Sequence, residues 1–260
     1  MSNTTMYKLP QIDSSPASML KLAQLGFFCV FAYWGVDDAE STIDWVWPII
    51  MISAGLSLYL SVPNSRIGAT LGIPLIMVVM GVIMDELDMA FWAIFMLVIV
   101  GSLAYIPALA LGDESLNIDD KSRITRFKIL YSLFAIMMVF LFSVLAPAAM
   151  DGTFEDDGED PVVEYQLEST DQTIAQAGFA MAIVGVLIFL GTGVFGLRLG
   201  PMNPWHGGAM ISSGVFADSY LWMAVADTGF ADFLFALAAS GIFTLSALVA
   251  FPQDDITESE

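Results

Sequence analysis

Residues 112–128 read GDESLNIDDKSRITRFK, a polar hinge between long apolar runs that carries four of the chain's eight Lys and Arg: Lys121, Arg123, Arg126 and Lys128. In a helical membrane protein, basic residues close to the ends of spans resist translocation and stay on the cytoplasmic side. These four side chains are therefore the topology determinants. They set inside and outside for every run on either side.

Outward from the hinge, apolar runs cover residues 19–35, 45–62, 67–84 and 89–111 before it, and 129–150, 177–196, 208–226 and 233–251 after it. Crossing a hydrocarbon core of ~30 Å takes about 20 residues at ~1.5 Å each, close to the length of each run. None alternates apolar and polar residues as a barrel strand does. The expected fold class is all-α: a polytopic transmembrane helical bundle of eight spans forming one domain, residues 19–251, with both termini cytoplasmic. A polar tail, residues 1–18, precedes it, an acidic extracytoplasmic loop occupies residues 151–176, and an acidic tail, residues 252–260, follows. The first run has the apolar character of a secretory signal but no A-x-A-like cleavage site, so it is expected as a retained helix. Run 208–226 is the least apolar, with serines, glycines and Asp218; were it re-entrant, seven spans would remain and the C-terminal tail would lie outside.

The charges sort by side under this topology. Inner segments take Lys8, Lys21, Arg66, the hinge cluster and Arg198, which is every base in the chain. Outer segments 36–44, 85–88, 151–176 and 227–232 take 18 of the 28 acids and no base.

Composition agrees with the membrane class, at 57% hydrophobic and 14% charged residues. A net charge of −20 repels phosphate backbones and excludes nucleic acid as a partner. It also argues against attachment to anionic headgroups through basic clusters, and a dense acidic surface suits high salt. The expected partners are the lipid bilayer, in a prokaryotic plasma membrane, and a second copy of the chain or a membrane partner subunit. Cys29 is the one cysteine, which excludes disulfides and Cys-based zinc sites within the chain. Its place in an apolar run predicts a small buried residue.

No catalytic, metal, cofactor or nucleotide motif is present, so neither an enzyme nor a bound cofactor is expected. Late runs lack the lysine a retinal Schiff base needs, and the spans lack the paired acids or zinc motif of an intramembrane protease. Gly68 and Gly72 form a G-x-x-x-G step, and Ala236 and Ser240 a similar small-x-x-x-small step, both suited to helix packing. Asp44-Trp45, Asp88 with Phe91 and Trp92, and Asp232-Phe233 repeat an acid followed by aromatics, as interface belts do. The acidic loop, with nine acids, does not follow the EF-hand spacing and reads as a solvated segment. His206, the single histidine, sits in the turn GPMNPWHGG without partners for catalysis.

Asp218 is the one acid within an apolar run. Counted from Gly208 it lies ten residues, ~15 Å, into its span, where an aspartate costs ~2.5 to 3.5 kcal/mol. Gly214 and Trp222, one turn away on either side, give its face a small gap and a bulky lid. The function expected is a non-catalytic accessory, scaffold or assembly subunit acting through helix packing. The alternative is a small-solute or ion transporter or channel with Asp218 as an intramembrane proton or cation site.

Overall fold

A computed structural model of the chain describes residues 12–37, 39, 42, 44–85, 87–141, 145–156, 163–225 and 229–251. Nine α-helices and one antiparallel hairpin are formed among these residues: α1 Pro16–Asp37, α2 Val46–Tyr59, α3 Ser65–Met84, α4 Leu87–Leu111, α5 Asp120–Leu141, α6 Leu145–Met150, β1 Thr153–Asp156, β2 Val163–Gln166, α7 Ser169–Ile188, α8 Pro204–Val225 and α9 Phe230–Ala250. Five helices among the described residues are long and apolar enough to cross a membrane, within Pro16–Val36, Ser65–Met84, Trp92–Leu111, Ser169–Val194 and Phe230–Ala250. The protein is thus helical and of the multi-pass membrane kind. It divides into two compact units, Met1–Ala104 and Tyr105–Glu260, with the boundary inside α4.

In the first unit α1 packs on α2, and α2 on α3. The second helix is shorter than its apolar run. It stops at Tyr59 because Ser61 turns left-handed at φ 53°, letting Ser61 N–H reach Leu58 O (3.0 Å) and Val62 N–H reach Ser57 O (2.9 Å). That pair of bonds is a Schellman stop, and it leaves α2 with 14 residues, ~21 Å of helix.

Pro107 lies inside α4 and, having no N–H, leaves the carbonyl four residues earlier without its helical donor. That carbonyl belongs to Leu103, and Gln24 of α1 donates to it from Nε2 at 2.7 Å in a buried contact. A polar side chain in an apolar run is thereby accounted for by a proline in another helix. Cys29, expected inside, is exposed on α1. Lipid-facing positions are as apolar as buried ones, so an apolar neighbourhood in the sequence does not imply burial.

The hinge is more ordered than a polar loop. Gly112, at φ 65°, ends α4 by the same Schellman geometry, with Asp113 N–H on Ala108 O at 3.0 Å and Gly112 N–H on Leu109 O at 3.4 Å. A short 3₁₀ turn, Glu114–Leu116, follows, with Ser115 N–H donating to Asp113 Oδ1 at 2.9 Å. Asp119 then caps α5 by accepting from Ser122 N–H at 3.0 Å, and its bonds to Ser122 hold its carboxyl below the usual carboxylate range. The expected run 129–150 is corrected accordingly: α5 begins at Asp120, so Lys121, Arg123, Arg126 and Lys128 stand on its first turns. Arg123 folds back from there onto the carbonyls of Leu109 (2.7 Å) and Ala110 (3.3 Å) and onto Asp120 (3.0 Å). A cation there complements the negative end of α4.

Residues 151–176 are also more than a solvated loop. Phe154 and Tyr165 pair across β1 and β2, Leu167 N–H closes onto Gly152 O at 2.8 Å, and Phe154 is fully buried. Residues 169–176 are the polar start of α7, eight residues ahead of the apolar run, tied down by Gln176 Nε2 donating to Ala149 O at 3.0 Å. Hydropathy marks the apolar part of a helix, whereas capping and side-chain contacts set its ends. Beyond Ile188 the helix widens into one π turn, Phe189–Val194.

Candidate functional site

The second unit centres on α8, which packs along both α7 and α9. Glycines make these approaches close. A Cβ on Gly185 would lie 2.6 Å from Gly207 O, and one on Gly207 would lie 2.7 Å from Gly185 O and 2.8 Å from Phe189 N. One turn pair further along, a Cβ on Gly214 would lie 2.6 Å from that of Ala182, and one on Gly178 would collide with Ala217 Cβ. The two glycines of each helix are seven residues apart and so share one face. The small steps singled out at four-residue spacing missed this seam. A search for seven-residue glycine spacing in successive runs would have found it.

On its other side α8 meets α9 through Gly208, where a Cβ would lie 2.5 Å from Phe243 O and 2.8 Å from Tyr131 Oη. Tyr131, buried on α5, donates to Phe243 O at 2.8 Å and stacks on Phe189 with ring centres 4.0 Å apart. Ser212 bonds to Gly208 O (2.9 Å) and Ser240 O (3.3 Å) and pairs with the Thr244 hydroxyl (3.0 Å). Ala236 and Ser240 are both buried on α9. Gly68 and Gly72 are placed otherwise, since a Cβ on either would meet nothing in the chain within 4 Å.

Asp218 lies nearer one end of its helix than its apolar run implies. The turn expected at GPMNPWHGG is already helical from Pro204, because proline suits the first helical position and His206 Nδ1 accepts from Asn203 N–H at 3.0 Å. Fourteen residues of helix, ~21 Å, therefore precede Asp218, and seven follow it to Val225. Tyr220, two residues on, donates to Asp171 Oδ1 at 2.9 Å in the first turn of α7. Trp222 stands edge-on to Phe154 of β1 at 5.0 Å. The Asp232 carboxylate, in the first turn of α9, acts on Asp218 as a like charge. Asp171, Asp218 and Asp232 thus gather at the hairpin end of α7, α8 and α9. The expected gap beside Asp218 at Gly214 is filled by Ala182, and the expected lid, Trp222, packs on the hairpin.

Chemically this is a packing centre with hydroxyls and three acids at one end. His206 stacks on Trp205 at 3.8 Å and serves the start of α8. Among the described residues no three His, Cys, Asp or Glu side chains come together as a metal site. Asp157, Glu159 and Asp160 of the acidic loop, and the side chains of Asp88 and Phe91, lie outside the described residues. No family model matches the chain, and no curated protein or solved structure compared with it does.

Proposed function

We propose that the chain is a non-catalytic membrane subunit, a scaffold or assembly partner that acts by helix packing. The observation that carries this is the free G-x-x-x-G face of α3. Gly68 and Gly72 have open space above them, and Ile67, Leu71 and Leu75 beside them are exposed. Two glycines one turn apart let another helix approach to backbone distance, where van der Waals contact drives association in lipid.

Eight spans with both termini cytoplasmic go with this function, the hinge cations inside and the β1–β2 hairpin outside. With Cys29 replaced by alanine, a probe cysteine at Ser169 is expected to react with an impermeant reagent on intact cells, and one at Ser122 only after permeabilisation. The reverse labelling would overturn the orientation, and outside labelling at Ser259 would remove one span.

Native mass spectrometry in mild detergent tests the function. The wild type is expected as a homo-oligomer or with a co-purified membrane subunit. Gly68→Leu with Gly72→Leu should melt within about 0.5 kcal/mol of wild type, as surface changes do, yet run as the lone chain. An assembly unaffected by this double substitution would sink the proposal. The transporter alternative is separated in the same preparation. A pH- or cation-dependent flux in liposomes that Asp218→Asn abolishes, with the fold intact, would favour it, because Asp218 and Asp232 could hold a cation between them.

A further inference from the structure

In the first unit, the last turns of α1 and α3 and the first turn of α2 line a half-open cavity of about 390 Å³. Its walls include Phe31, Trp34, Trp47, Met77 and Met80, and among the described residues its one carboxylate is Asp44. The Trp47 indole reaches this position because residue 35 is glycine, a Cβ there colliding with Trp47 Cδ1. The volume falls within the ~300 to 1,000 Å³ usual for small-ligand pockets, and so does the pattern of apolar walls with very few polar groups.

Aromatic faces attract cations through the ring quadrupole, and desolvation strengthens the attraction. Both α1 and α3 point their C-terminal, partially negative ends toward this site, and the N-terminal, partially positive end of α2 offsets one of them. Residues 22–65 contain no Lys or Arg, nor do residues 67–104; Lys21 and Arg66 stand at the opposite ends of α1 and α3, respectively. Polarizable methionines complete a wall that adapts to irregular apolar shapes.

We infer that the cavity of Phe31, Trp34, Asp44, Trp47, Met77 and Met80 binds a lipophilic organic monocation of the quaternary ammonium or phosphonium class. The rings and methionines take its apolar groups, and the Asp44 carboxylate balances its charge. A bare metal ion would find too few oxygen ligands here, and an anion would meet a carboxylate with no base in the surrounding stretches of sequence.

The test titrates purified full-length protein in neutral detergent with tetraphenylphosphonium and tetraphenylborate, ions alike in size and shape and opposite in charge. Calorimetry and tryptophan fluorescence are expected to show saturable one-to-one binding of the cation and none of the anion. Asp44→Asn, nearly isosteric, is expected to weaken the cation about tenfold or more, and Trp47→Leu to weaken it similarly by removing an aromatic wall. If Trp47→Leu does not fold, Asp44→Asn decides alone. Equal binding of the two ions would identify a groove for lipid tails and overturn the inference, as would an unchanged cation affinity in Asp44→Asn.

Discussion

Alanine at Gly185 or Gly207 is expected to destabilise the protein strongly, by driving a methyl into the backbone of the facing helix. At both positions the new Cβ would lie 2.6 to 2.7 Å from a carbonyl oxygen of the facing helix, well inside contact distance. A flexible side chain could turn aside, but a backbone carbonyl within a helix cannot move without separating α7 from α8. Overpacking commonly costs ~1 to 3 kcal/mol, and a clash with backbone belongs at or above the top of that range. Gly68→Ala is the internal control, with open space above it, and should stay within about 0.5 kcal/mol of wild type. Thermal melting in detergent, followed by near-ultraviolet circular dichroism, reads the difference. Gly185→Ala melting with the Gly68→Ala control would show that the α7–α8 seam is looser than described.

Truncating Tyr131 to alanine is expected to have the second largest effect, and phenylalanine at the same site a much smaller one. The Tyr131 ring stacks on Phe189, stands edge-on to Phe243 with centres 5.8 Å apart, and tilts against Phe127 at 5.4 Å. Removing a buried ring of this size costs ~3 to 5 kcal/mol in water-soluble cores, from lost transfer energy and from the cavity left behind. In lipid the transfer part shrinks, because hydrocarbon tails are as apolar as the core. The cavity part remains, which places Tyr131→Ala near the lower end of that range. Tyr131→Phe keeps the ring and loses only the bond to Phe243 O, a net of ~0.5 to 1.5 kcal/mol. If both variants lost equal stability, the hydroxyl rather than the ring would be holding α5 to α9.

Helix ends and site residues were legible to different degrees. Gly112 and the polar residues after it mark the stop of α4 correctly, because a left-handed C-cap and a capping aspartate are local chemistry. The start of α8 was missed by four residues, since Pro204 and His206 look like a turn until their bonds are seen. That shift carries Asp218 ~6 Å toward the hairpin end, the end at which Asp171 and Asp232 also lie. Phe154, within an acidic stretch, has no signal of its own for burial, and becomes a core residue only because Trp222 and Tyr165 meet it.

The helical, membrane-crossing class follows from the amino-acid sequence alone, because long apolar segments in lipid must satisfy their own backbone bonds, whatever their neighbours are. The concentration of cations at the hinge belongs to the same level, as does the absence of bases from long stretches of the chain. Partner choice does not. Only the tertiary structure separates Gly185 and Gly207, locked against each other, from Gly68 and Gly72, which face open space. It alone brings Asp44 to a wall of tryptophan and methionine, and exposes Cys29. The physical reason is that in a bilayer the outside of a helix is as apolar as its packed face, so hydropathy cannot tell one from the other. Packing is a property of pairs of surfaces, and the pairs exist only once the chain has folded.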